Sequence, residues 1–97
     1  MEDLKFDWDK NKAVLNKKKH GVSFDEAVTT FYDDDAVESH DPDHSEDEDR
    51  FLILGLSFTS RILVVSHCIR ESGSVIRIIS ARKATKLEAK VYWEEKL

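Results

Sequence analysis

The chain has 97 residues, of which 40% are hydrophobic and 36% charged, and a formal net charge of −5. That size suits one domain around one core, spanning 1–97. The single cysteine, Cys68, forbids an internal disulfide, no run nears the roughly 18 apolar residues of a membrane span, and the opening MEDLKFDWDK does not read as a secretory signal, so a cytoplasmic protein is expected.

The net charge hides an asymmetry. Residues 33–49 hold ten acidic side chains and no Lys or Arg, which leaves a net +5 on the rest of the chain. A moderately basic domain crossed by one acidic segment says more about partners than the total does.

Taken in chain order, FDW (6–8) suits a short strand. Asp9 is placed to cap a helix through KNKAVLNKKKHG, with Lys17, Lys18 and Lys19 in the last turn, where cations oppose the helix dipole, and with His20 and Gly21 closing it. Ser23 and Glu26 have the spacing of a capping box, and open a second helix with Phe24, Ala27, Val28 and Phe31 on one face. Asp33 to Asp35 end it. AVESH (36–40) suits an edge strand, and DPDHSEDED a loop or short helical turn around the only proline, Pro42.

Three strands follow, over 50–57, 61–71 and 74–82, turning through FTS and SG into an antiparallel meander. The middle strand is apolar on both faces, which places it at the sheet centre. Thr85 and Glu88 repeat the capping-box spacing and open a C-terminal helix with Leu87, Val91 and Tyr92 turned inward. The expected fold class is α+β, with two N-terminal helices on one face of a small antiparallel sheet and the C-terminal helix partly covering the other.

Alternation on the third strand separates Arg77 from Ser80 and Arg82, and on the middle strand sets His67 with Leu63, Val65 and Ile69, with Arg61 at the start of that face. Register decides whether Arg77 and His67 share a face. If they do, the sheet carries an open cationic face with an imidazole. Such a set suits metal-free RNA cleavage, which needs a base for the 2′-hydroxyl, an acid for the leaving oxygen and cations for the charge on phosphorus. The plainer reading pairs each arginine with a carboxylate and leaves His67 as a hydrogen-bonded core residue.

HDPDHSEDE offers His40, His44, Asp41, Asp43 and Glu46 to a metal, but Pro42 breaks the helix that would gather the two histidines, and no calcium-loop glycine is present; a solvated acidic loop is expected, with no metal and no cofactor. NKKKHG reads equally as a phosphate-contacting patch or a solvated helix end. Trp8, Tyr92 and Trp93 fit base stacking less well than packing, and Cys68 fits a small buried hydrophobe.

The ordered motifs resemble the BrnT-type toxins. Phe6, Trp8, Asp9 and Lys12 match the opening F-x-W-D-x-x-K, and Asn16, Lys19, His20, Gly21, Val22, Phe24 and Ala27 match N-x-x-K-H-G-V-x-F-x-x-A. Asp41, Pro42, His44 and Ser45 match D-P-x-H-S, and Glu48 with Arg50 matches E-x-R. Ile53, Gly55 and Ser57 match I-x-G-x-S, and Arg77 to Arg82 with Ala84 match R-I-I-S-A-R-x-A, so the resemblance runs over about 6–92. Two features depart from it: HSEDEDR is unusually acidic, and FTSR makes the match of Arg61 approximate.

The resemblance implies a RelE-like fold and a type II toxin: a metal-independent endoribonuclease that arrests translation. It further implies a BrnA-type antitoxin with a ribbon-helix-helix, a heterotetramer of the two, and DNA contact only through the antitoxin. Carried onto this sequence, it makes His67, Arg77, Arg82, Arg61 and His20 the candidate catalytic residues, and Lys19, Lys83, Lys12 and Trp8 the candidate RNA-binding ones. The rival is a non-catalytic interaction module, a degenerate toxin that only binds an antitoxin-like partner, because the acidic segment could cover the cationic face. Autonomous DNA binding is third, since no recognition helix is evident.

Overall fold

The computed structural model describes residues 4–45, 48–70 and 73–96. The elements are β1 (Lys5–Asp7), α1 (Lys10–His20), α2 (Phe24–Thr29), β2 (Val37–His40), β3 (Phe51–Leu56), β4 (Ile62–Arg70), β5 (Val75–Lys83) and α3 (Lys86–Lys96). Short 3-10 turns at Thr30–Tyr32 and Pro42–His44 follow α2 and β2. The turn expected at Ser72 and Gly73 lies partly outside the described residues, as do Glu46 and Asp47 of the acidic segment.

The five strands form one sheet in the order β1-β5-β4-β3-β2, with β4 in the centre as its two apolar faces require. The meander is antiparallel, but β1 runs parallel to β5, pairing Phe6 with Ile76. The sheet is therefore mixed, not wholly antiparallel: α1 and α2 intervene and carry the chain back across the sheet, which a two-residue hairpin turn cannot do.

Helix ends follow their local signals. The Asp9 carboxylate accepts from the amides of Asn11 and Lys12, and Gly21 takes the left-handed conformation (φ 70°) that terminates α1. Ser23 Oγ accepts from the Glu26 amide, which is half of the expected box; the Glu26 side chain turns elsewhere. At α3 the box is complete, with Glu88 accepting from the Thr85 amide and Thr85 from the Glu88 amide.

One sheet face is the core face. Val22, Phe24 and Ala27 pack there on Ile53, Leu63, Val65, Ile78 and Ala81. Each large side chain so buried contributes about 1.5–3 kcal/mol. Asn16, buried in α1, ties helix to sheet: its Nδ2 donates to the carbonyls of Val22 (2.9 Å) and Ala81 (2.8 Å), and its Oδ1 accepts from the Ala81 amide (3.1 Å). Gly55 lets the 3-10 turn settle onto β3, since a Cβ there would stand 3.0 Å from Thr30 Cβ.

The other face is open except where α3 reaches β3. Tyr92 is fully buried there and donates to Asp33 Oδ2 (2.6 Å), an oxygen that also accepts from the Leu56 amide. Leu87 and Val91, expected to face inward, are instead exposed. The face of α3 turned to the sheet is the one carrying Glu88 and Tyr92, four residues apart, because each has a specific polar partner on the sheet side.

Candidate active site

The opposite-face geometry is set by one irregularity. Along β4 and β5, Ser66 pairs with Ser80 but His67 pairs with Ile78, so Ile79 is an extra residue in β5. Such a bulge resets the alternation of side chains. Arg77, paired with Cys68, and Arg82, paired with Val64, therefore lie on the same open face although strict alternation would put positions an odd number apart on opposite faces. His67 goes to the core face.

The segment between β2 and β3 borders this open face. It is held by Asp41 N–H to the Arg50 carbonyl (2.8 Å), by Ser45 Oγ donating to the Asp41 carbonyl (2.6 Å), and by the Arg50 amide donating to Ser45 Oγ (2.9 Å). The result is a cleft of about 510 Å³ lined by Asp41, His44, Arg50, Leu52, Val64, Ser66, Ile79, Ser80 and Arg82.

In this cleft His44 Nδ1 stands 2.9 Å from Asp41 Oδ2, and the histidine side chain is 66% exposed. Arg82 forms a two-pronged pair with Glu88, at 2.7 and 2.9 Å. The guanidinium holds the Glu88 carboxyl down at about 2. Farther along the same face Arg70 meets Glu48 (3.2 Å) and Arg77 meets Asp7 (3.4 Å). Arg50 is the one arginine with no ion pair among the described residues.

Chemically, the cleft offers an imidazole steadied by a carboxylate, two guanidinium groups and two serine hydroxyls, over an apolar floor. That combination suits a phosphodiester better than a neutral ligand.

The family model for the ribonuclease toxin BrnT of type II toxin–antitoxin systems matches residues 8–88. The chain belongs to the BrnT family. It is also similar in fold to the 1.1 Å crystal structure of the Brucella abortus ribonuclease toxin BrnT, with a TM-score of 0.63 and 22% identity over 87% of this chain and 100% of that one. No curated protein matches it in sequence.

The BrnT motifs of the sequence scatter over both sheet faces. Arg77 and Arg82 lie on the open face. Arg61 does not: just before β4, its Nε donates to Glu26 Oε2 (3.0 Å) and its Nη2 to Glu26 Oε1 and to the Gly21 carbonyl. Ser57 and Thr59 donate to the same carboxylate, and these bonds, chiefly the one from Arg61, hold the buried Glu26 carboxyl at about 2. Arg61 thus braces α2 against β4, because Glu26 has no other cation to balance it indoors.

His67 is 1% exposed, with its ring against Phe31 and Phe51. Its Nδ1 donates to the Val65 carbonyl (3.2 Å), while Nε2 has no hydrogen-bond partner and lies 3.4 Å from Glu38 Oε1. Burial pushes its pKa below the ordinary histidine value. An imidazole walled in by two phenyl rings, across the sheet from Arg77, does not complete a shared site with it. The register and the bulge decide what the sequence left open: His67 and Arg77 lie on opposite faces.

His20 ends α1 half-buried, and Lys12 and Lys19 are exposed on the same helix, on the core-face side of the sheet. Trp8 sits edge-on to Phe24, 5.8 Å between ring centres, and packs on the core. Lys83 ends β5 and is exposed. Cys68 is buried, which raises its thiol pKa, as a packing residue would show.

The cleft residues passed over in the sequence were His44, Asp41, Arg50, Ser66 and Ser80. Two signals for them existed. D-P-x-H-S holds the His44–Asp41 pair and E-x-R holds Arg50, but that stretch, weighed only against metal binding, reads as a solvated acidic loop. Among the described residues no three His, Cys, Asp or Glu side chains gather as metal ligands.

Proposed function

We propose that this BrnT-family chain is a RelE-like, metal-independent endoribonuclease that cleaves RNA in the open-face cleft and thereby stops translation. In this reading a BrnA-type antitoxin neutralises it in the cytoplasm, as a heterotetramer that touches DNA only through the antitoxin. The observation that carries the catalytic part is the His44–Asp41 pair at 2.9 Å in one cleft with Arg50 and Arg82.

The carboxylate of Asp41 accepts a hydrogen bond from the Nδ1–H of His44, which leaves Nε2 as the basic atom of a mostly exposed ring. Nε2 accepts the proton of a ribose 2′-hydroxyl. The 2′-oxygen forms its bond to phosphorus, the bond to the 5′-oxygen breaks, and that oxygen leaves with a proton from solvent or the imidazolium. The products are a 2′,3′-cyclic phosphate and a 5′-hydroxyl. Arg50 and Arg82 meet the charge that builds on the phosphoryl oxygens; Arg77 extends the path for the strand on the same face, whereas Lys83, paired with core-face Leu63, lies off it.

The test is cleavage of RNA by the purified chain in the presence of EDTA, with the product end groups identified. His44→Ala is expected to slow cleavage by roughly 10²–10⁴-fold, and Arg50→Ala by about 10²-fold. Full activity in both folded variants would remove the cleft from the reaction.

The second reading, a degenerate toxin that only binds its antitoxin, is favoured by one observation: Arg70, Arg77 and Arg82 each already face a carboxylate of the same chain. Folded wild-type protein that binds antitoxin but leaves RNA intact would select it.

A further inference from the structure

On the far side of the sheet from the cleft, α1 and α2 frame a groove of about 360 Å³. Its walls include Trp8, Val14 and Phe24, and its rim carries Lys17, Lys18 and, from α2, Asp25. Val14 is 55% exposed, and its neighbour Leu15 is 64% exposed. α1 has no acidic residue, and none of its five lysines has an ion pair among the described residues. By contrast, four of the five arginines, Arg61, Arg70, Arg77 and Arg82, meet carboxylates.

A helix that only had to cover the core would not need two solvent-facing aliphatic side chains beside lysines that meet no carboxylate. We infer that this groove is the anchoring surface for an acidic amphipathic segment of the chain's antitoxin, apolar side chains seated against Val14 and Phe24 and carboxylates on Lys17 and Lys18. The inference rests on the toxin–antitoxin reading, to which it adds a place and a chemistry. Charge complementarity calls for an acidic partner, which RNA also is, but the groove wall is aliphatic at Val14 and one face of the rim is the carboxylate of Asp25. Val14 buries against a peptide's apolar face, and Trp8, half-buried in the same wall, is already packed edge-on against Phe24 and on the core, so the wall favours a peptide over a stack of bases. Because the groove and the cleft lie on opposite faces, anchoring and cleavage are separable by mutation.

The test uses the full chain and its full-length cognate antitoxin, with affinity measured by calorimetry and RNA cleavage measured on the free toxin. Val14→Glu is expected to weaken antitoxin binding at least tenfold and to leave cleavage unchanged. The double variant Lys17→Glu, Lys18→Glu is expected to weaken it by at least as much and to flatten its salt dependence. Antitoxin affinity within threefold of wild type in both variants would overturn the inference. So would cleavage lost with antitoxin affinity retained, which would make the groove an RNA surface. If the wild type cleaves no RNA but Val14→Glu still loses the antitoxin, the ribonuclease reading fails and the anchoring surface stands.

Discussion

Arg61 and Glu26 form an ion pair, its carboxylate 6% and its guanidinium 29% exposed, that joins the start of β4 to α2. The pair gives an arginine that sequence set beside a strand histidine a carboxylate partner on α2, away from the open face. Arg61→Ala would leave the Glu26 carboxylate buried on two hydroxyls alone, at a cost on the order of 3 kcal/mol. Urea unfolding at neutral pH checks this.

The same pair sets an acid limit. The Glu26 carboxyl falls from 4.5 to about 2 on folding, so the unfolded chain takes up the proton first as pH drops. Stability from this group is intact above about pH 4.5 and is lost progressively toward pH 2. Glu88, held down by Arg82, acts in the same window and with the same sign. A stability curve against pH should therefore fall through that range, and fall less steeply in Arg61→Ala.

We predict that His67, 1% exposed, supports the core and does not transfer protons. His67→Ala should lose about 2–4 kcal/mol, as large buried side chains do when truncated, while cleavage per folded molecule stays at the wild-type level. Since burial depresses its pKa, protonation favours the unfolded chain, and wild-type stability should also begin to fall as pH drops below the ordinary histidine value. Activity lost from folded His67→Ala would return His67 to the site.

Asn16 holds α1 to β5 beside the bulge through two buried hydrogen bonds with Ala81, and a third to the Val22 carbonyl fixes the α1–α2 connection. Asn16→Ala would strip the Ala81 amide and carbonyl of these partners, at about 2–3 kcal/mol. Hydrogen exchange of the Ala81 amide should accelerate more than that of β3 amides.

Glu88→Gln removes the carboxylate that occupies Arg82 and keeps the shape of the side chain. RNA should bind more tightly at low salt, and the gain should vanish at high salt, where exposed charges are screened. Filter binding across a salt series measures it. No gain at any salt would mean that Arg82 does not meet the phosphate.

Much of this was legible in the residues themselves. Asp9, Ser23 and Thr85 start helices and Gly21 ends one because a cap needs only neighbours a few residues away. The two-sided apolar pattern of 62–69 puts β4 in the centre because burial on both faces leaves no other place for it. The order of motifs, from Phe6 to Ala84, was enough to identify the family.

What sequence left open depends on contacts between distant residues. Strict alternation sets Arg77 and Arg82 apart; the extra residue Ile79 brings them to one face, and nothing local announces that bulge. Which carboxylate each arginine meets, Glu26 for Arg61 or Glu88 for Arg82, follows from how helices lie on the sheet. His67 and His44 look alike as letters in a chain. Packing closes two phenyl rings over the first and leaves the second open beside Asp41, and that difference in solvent access, which no short stretch of sequence encodes, separates a core residue from a candidate base.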